Sequence, residues 1–356
     1  MCVTGKLSWF PPLAALALAC APEPGGGDAG ASGDVPAQCT GAEYIAFDAA
    51  SHANQDLRVQ AYVDLLVLLN EAQANPSLAS ERFSAAEALY LNTASFAEKV
   101  QGRSDDHLTG RPNVGQGLHE TILAGFAAGK AASTALEVNL AKQAVDKTLI
   151  DFFFLSVHHE MLLGARDKWD EGYGYFGSGP RNAEGDLRGL AQVAKKRDDA
   201  NGTQLGPSIF NGLIDGSCEL ANILDEKNIE QIDPAEHATL WDIIEEIDLS
   251  LQKVLAYSAG HEAFAMAALQ EDLFADPSNL AIAEEMHIKL AELVPYFRPL
   301  ERIMNDKGGE SLTRASGIRT EIDAALADDS DAWLQRFDAE GVLEAIEAEY
   351  AIDVVQ

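Results

Sequence analysis

Leu149-Ile150-Asp151-Phe152-Phe153-Phe154-Leu155 is the run on which the fold of this chain turns. It sits in the second half of a long stretch, Thr134 to Gly164, that is otherwise patterned as a helix. A helix that is apolar all round must be buried on every side, so this stretch reads as the central helix of a helical body. At about 30 residues and 1.5 Å per residue it would be roughly 45 Å long. Working outward, Leu57, Ala61, Leu65, Leu68 and Leu69 recur at helical spacing until Asn75-Pro76 stops them. Ser80-Glu81-Arg82-Phe83 opens a second helix that runs, with an interruption, to Gln101-Gly102. Asp105 to Asn113 is a polar loop with Gly110 and Pro112, and another helix follows from about Val114 to Ala131.

Beyond the centre, helices are expected at about 186–200, 207–225, 234–272, 277–305, 311–327 and 331–350. Gly206-Pro207, Asp233-Pro234 and Asp276-Pro277 each place proline at a first helical position, two of them behind an Asp cap. No alternating run long enough for a strand, no short-period repeat and no second linker interrupts the series. The expectation is an all-α, multi-helix bundle over residues 51–356, with two packed sub-bundles at about 51–178 and 179–356.

Charge narrows the partners. The formal net charge of −32 at pH 7 argues against nucleic acid and against adsorption on anionic lipid, both of which need Lys/Arg-rich surfaces. An outward-facing soluble protein, a cation-binding surface or a salt-tolerant one all fit it.

Residues 1–19 read as a signal peptide: Lys6 supplies the positive start, Leu7 to Leu18 the apolar middle and Ala17-Leu18-Ala19 the small-residue cleavage site. Cys20 follows at once, and Leu16-Ala17-Leu18-Ala19-Cys20 resembles a bacterial lipobox, with Ala17 where Leu is usual. A Gly/Pro-rich run from Ala21 to Gly33 has too little apolar content to fold, so residues 20–50 are expected to be a lipidated Cys and its tether. With Cys2 removed and Cys20 acylated, Cys39 and Cys218 remain. In an oxidising envelope they either pair or stay as two separate thiols.

A second stretch carries the chemistry. Lys168-Trp169-Asp170-Glu171-Gly172-Tyr173-Gly174-Tyr175-Phe176-Gly177 follows on His158-His159-Glu160. If one helix runs through to the glycines at its end, Glu160, Asp167 and Glu171 share one stripe. His159, Arg166, Asp170 and Tyr173 share the next, and His158, Leu162, Ala165 and Trp169 a third. Carboxylates, imidazoles and an aromatic wall then converge where the helix stops, either as a ligand site or as a solvated helix end.

The run Trp169 to Gly177 resembles the W-D-E-A-F-G-Y-F-G signature of an uncharacterised family of bacterial envelope lipoproteins, itself similar to the imelysins, helical envelope proteins linked to iron uptake. The resemblance extends from about Ala53 to Tyr350. Lys196-Arg197-Asp198 looks like that family's Arg-Asp step, Ala259-Gly260-His261 its Ile-His segment, and His287 with Ala291-Glu292 and Tyr296-Phe297 another of its runs. Asp167 and Lys168 stand where the family often has two His. Gly117-Leu118-His119-Glu120 loosely resembles the imelysin G-x-H-x-x-E motif, with Ile122 in place of the Glu. His52, His107 and His237 lie outside the sharp patches. The resemblance implies an imelysin-like helical fold and, through the imelysins, a link to iron acquisition.

No standard catalytic motif is present. His119-Glu120 and His261-Glu262 lack the second His of H-E-x-x-H, and there is no nucleophile elbow, P-loop or dinucleotide fingerprint. One E-x-x-H, Glu284 to His287, is present, whereas a di-iron bundle needs two such motifs and two further Glu. The expected metal set is therefore mononuclear, iron or zinc held by Glu171, His261 and His287 with Asp170. Trp169, Arg197, Asp198 and Tyr175 would support it or serve structure alone, with Arg197 pairing Glu171 or Asp170. The functional expectation is an envelope lipoprotein, anchored to the membrane through Cys20, whose domain binds a metal ion or small ligand without catalysis. By analogy with enteric bacteria, Ala21 after the Cys favours the outer membrane. The other reading is a scaffold that presents an acidic face to an envelope partner protein; a metallopeptidase ranks last.

Overall fold

The computed structural model describes residues 36–41, 43–177, 187–223, 237–328 and 331–355. The signal segment, Cys20 and the first part of the tether lie outside them. Twelve α-helices and no sheet strand are found among the described residues: α1 (Ala53–Ala74), α2 (Ala79–Asn92), α3 (Phe96–Gln101), α4 (Gly115–Ala131), α5 (Ala135–Leu163) and α6 (Arg166–Phe176), then α7 (Gly189–Asn201), α8 (Leu205–Asn222), α9 (Ala238–Ala275), α10 (Leu280–Lys307), α11 (Gly309–Leu326) and α12 (Ala339–Tyr350). The protein is an all-α multi-helix bundle. None of the described helices is long and apolar enough to cross a membrane.

The centre is α5. Thr134 starts it with a capping box: the Glu137 amide donates to the Thr134 hydroxyl at 3.2 Å, and the Glu137 carboxylate accepts the Thr134 amide at 3.0 Å. Phe152, Phe153, Phe154 and Leu155 are all buried, as expected of a helix apolar on every face. This helix packs against α1, α4, α6, α9 and α10. The two sub-bundles expected on either side of position 178 thus share α5, and residues 36–356 form one compact unit.

Several expected boundaries differ: Pro207, expected first in its helix, is the third residue of α8, and the Asp233-Pro234 start lies outside the described residues. The helix through the signature stops at Gly164, whose φ of 59° ends α5 in a left-handed cap, and α6 is a separate helix closed by Gly177 at φ 88°. Stripes drawn across 160–171 as if on one helix therefore do not hold. The segment expected as one helix over 331–350 breaks into a 3₁₀ turn, Ala332–Gln335, and α12, because Asp338 accepts the Gly341 amide at 3.0 Å and starts a new helix. Residues 277–279 precede α10, which begins behind Asn279, and α10 continues through Pro295 and Pro299, both buried.

Residues 36–50, expected as tether, lie on the folded body. Cys39 and Cys218 are joined by a disulfide across 179 positions. Tyr44 stacks on Tyr173 with ring centroids 3.8 Å apart and 6° between planes. The apolar Tyr44 and Phe47 and a buried acceptor on α6 explain why this part of the chain packs.

Candidate metal centre

In the structure the signature residues are bonded to other parts of the protein. Asp170, fully buried, accepts the Tyr44 hydroxyl at 2.7 Å, the Phe47 amide at 3.2 Å, the Asp48 amide at 3.1 Å and the Ser51 hydroxyl at 2.7 Å. Four donors occupy both its oxygens and leave none directed at a metal. Glu171 accepts from Gln55 and Lys168. Trp169 is buried with its indole N–H on the Leu213 carbonyl at 2.9 Å. α8 passes so close that a Cβ on Gly216 would lie 2.1 Å from the indole ring. Tyr175, also buried, accepts from Arg58 at 2.8 Å, with Arg58 and Arg103 over its ring.

The two histidines expected from the sequence do not join it. His287 pairs with Asp331 at 2.9 Å and lies edge-on to Trp333. His261 faces Arg197, Lys196 and Lys289; burial and then those cations push its imidazole down to about 4. Among the described residues, Glu171, His261 and His287 are not brought into one set of ligand atoms. Arg197 is buried but pairs with neither Asp170 nor Glu171, whose oxygens are already taken. Asp198 accepts the Thr203 hydroxyl at 2.6 Å and the Leu205 and Gly206 amides at 2.7 and 2.8 Å, and so caps α8 from the end of α7.

A different set converges. His107, His158 and Asp248 place one ligand atom each within 4.8 Å of one another, from the 105–113 loop, α5 and α9. His107 Nε2 is 2.7 Å and His158 Nε2 3.8 Å from the same Asp248 oxygen, Oδ1. The two imidazoles stack 3.9 Å apart. Behind them, His107 Nδ1 contacts Asp105 at 3.1 Å, the carboxylate–imidazole arrangement that fixes the ring of a metal ligand. Asp105 is held in turn by Arg302 at 2.6 Å, and Arg302 also grips Asp151 at 2.9 Å. Gln252 donates to the other Asp248 oxygen at 2.7 Å.

The loop is shaped to deliver His107. Gly115 donates to the Arg103 carbonyl at 2.8 Å, closing its base, and the Arg103 guanidinium meets buried Glu160 on α5 at 3.0 Å. Thr109 is tied to Asp306 on α10 at 2.9 Å. Such pinning restrains a loop that would otherwise lose entropy on binding.

The electrostatics are divided between the two rings. Burial opposes charge on His107, but Asp248 and Asp105 outweigh it and push its imidazole up to about 10. Burial, followed by the charge on His107, pushes His158 down to about 4, so it presents a neutral ring. Burial would raise the Asp248 carboxyl, yet the neighbouring imidazoles hold it well below the usual carboxylate range. The buried Nδ1 of His158 has no partner among the described residues. Without a metal, the protonated His107 ring donates one N–H from Nδ1 to Asp105 and the other from Nε2 to Asp248. With one, a divalent cation takes that proton's place at Nε2 and is met by a neutral imidazole and an ionised carboxylate.

Two imidazoles and one carboxylate suit zinc or ferrous iron and leave a position open. Bonds of ~2.0–2.1 Å separate tetrahedral ligand atoms by roughly 3.3 Å, so the His107–Asp248 contact must open slightly and His158 must close in. In the sequence, His107 stands in a polar loop outside the resemblance, and His158 reads as one member of a helix stripe. Asp105-Asp106-His107 is the one local signal that points to the set. No protein-family model, curated protein or solved structure matches this chain.

Proposed function

We propose that this protein is a lipid-anchored component of a bacterial cell envelope whose helical body binds one divalent transition-metal ion through His107, His158 and Asp248, without catalysing a reaction. The observation that carries the reading is the meeting of those three ligand atoms from three separate chain segments, backed by Asp105. The likeness of the Trp169–Gly177 run to envelope lipoproteins supports the location. So does the Cys39–Cys218 disulfide, since structural disulfides persist in oxidising compartments and are rare in the cytosol.

The test is calorimetric titration of the intact protein with zinc and ferrous iron, together with the visible spectrum of its cobalt complex. One equivalent should bind, and His107→Ala, His158→Ala and Asp248→Asn should each weaken binding by at least about tenfold, the effect expected on losing a ligand or its support. Glu171→Gln and His287→Ala should leave it unchanged. A wild-type protein that takes up no metal ends the proposal. The second reading, a metal-free polar cluster in a scaffold with an acidic face, is favoured by His107 already having a carboxylate on each ring nitrogen. It predicts that the same three substitutions lower melting temperature with no metal response to lose.

A further inference from the structure

In a chain with 25 Lys and Arg against 57 Asp and Glu, basic residues gather at one place where α5, α7, α9 and α10 meet. The cluster centres on Arg197, which is 2% exposed and whose Nε and Nη1 have no acceptor among the described residues. A guanidinium has five N–H donors and cannot shed its charge, and a buried charged donor left unmet is costly. Its surroundings add positive potential. Lys196, next to it on α7, is exposed and makes no ion pair within 4 Å among the described residues. Lys289 on α10 and His261 on α9 are half-buried nearby, and the buried Nδ1 of His261 also lacks a partner among those residues.

The nearby carboxylates lie against other cations, although Glu262 Oε2 accepts no hydrogen bond among the described residues. Glu262 is 3.1 Å and Glu292 3.7 Å from Lys289. Burial and then the charge of Glu262 push the Glu292 carboxyl up, and it is hydrogen-bonded to Glu262, which reduces the negative charge the pair can offer. Asp146 is taken by Lys147 at 2.8 Å and the Tyr62 hydroxyl at 2.6 Å. No acceptor among the described residues therefore answers Arg197 Nε and Nη1. We propose that Arg197, Lys196, Lys289 and His261 form a binding site for a small oxyanion, a carboxylate or phosphate, that answers the unmet Nε and Nη1 of Arg197. Guanidinium and ammonium groups in this arrangement recognise such oxygens by charge-assisted hydrogen bonds. The site shares no residue with the metal centre and stands or falls independently of it.

His261 is the reporter. The groups facing it are Arg197 and Lys196 from α7 and Lys289 and Glu292 from α10, with Glu262 beside it in sequence. A bound anion offsets the cations that depress its imidazole, so its titration midpoint must rise. The experiment is a proton–carbon NMR titration of the His261 ring in the intact protein. Inorganic phosphate, succinate and chloride are compared at equal ionic strength, with Arg197→Gln and Lys196→Gln alongside wild type. Saturable phosphate or succinate binding that raises the His261 midpoint by about one unit or more, and that Lys196→Gln weakens, supports the site. Which of the two anions acts decides between phosphate and carboxylate. Arg197→Gln should raise the midpoint without anion and abolish the response. Equal effects of all three salts, or none of any, overturn the proposal. The wild-type and Lys196→Gln arms decide the matter even if Arg197→Gln does not fold.

Discussion

Replacing Asp170 by Ala should be among the most damaging single changes this protein can undergo, although the residue adds nothing to the apolar core. The carboxylate accepts two hydroxyls and two backbone amides from residues 44–51. Net contributions of ~1.5–3 kcal/mol for each bond to a charged acceptor would sum to roughly 6–12 kcal/mol. That sum is an upper bound, because residues 44–51 can peel away and hydrate instead of staying unmet. What is then lost is their docking, including the Tyr44–Tyr173 stack, worth about 0.5–1.5 kcal/mol. The expected loss is about 3–5 kcal/mol, the sum for two or so buried donors left unmet at ~1–3 kcal/mol each. At the low end of ~2–4 °C per kcal/mol for larger domains, the melting temperature falls by about 8 °C. Urea denaturation gives the energy and limited proteolysis locates it, with new cleavage between residues 40 and 52. Asp170→Asn should recover little, since its amide points donors at donors. A loss below about 1 kcal/mol, with residues 44–51 as resistant as in wild type, would refute this account of Asp170.

Reduction of the Cys39–Cys218 bond should cost up to ~5 kcal/mol in the chain-entropy description of so long a loop, seen as a lower urea midpoint with dithiothreitol, and should add to Asp170→Ala less than its full effect because both hold the same segment. Gly216→Ala, which would drive a Cβ to 2.1 Å from the buried indole of Trp169, should destabilise by about 1–3 kcal/mol and alter the near-ultraviolet circular dichroism of that tryptophan. The Asp146 carboxyl is held below its ordinary value of 3.8: burial opposes this, but Lys147 and the Tyr62 hydroxyl outweigh it. A depressed folded-state value gives stability that is complete above the unfolded value and is lost as pH falls through the folded one. Asp146→Asn should therefore be clearly less stable than wild type near neutrality, and the gap in urea midpoint should narrow steadily below about pH 4. A gap that stays constant from neutrality to acid would count against the Asp146 contacts.

The helical architecture is legible in the residues because burial and capping are local signals. A helical stretch that is apolar all round must lie in the interior. The same locality explains what the residues do not disclose. Gly164 and Asp338 break helices that the apolar pattern alone would continue, since a left-handed cap and an Asx cap depend on backbone geometry that hydrophobic period does not record. Asp170 and Glu171 read as candidate ligands because a carboxylate beside a tryptophan looks identical whether it awaits a cation or four N–H and O–H donors. Those donors come from more than a hundred positions earlier in the chain, and nothing in the signature announces them.

By itself the sequence determined an all-α body, its central helix and the approximate positions of most helix starts. Tertiary structure alone decided the chemistry. It tied residues 36–50 down with Asp170 and the disulfide, turned Trp169 and Asp170 inward, left Arg197 Nε and Nη1 without an acceptor among the described residues, and carried His107 from a polar loop to His158 and Asp248. The reason is one of range: helix formation is governed by neighbours three and four positions apart, whereas a ligand set is a coincidence of side chains whose separation along the chain, 51 residues from His107 to His158 and 90 more to Asp248, has no bearing on their separation in space.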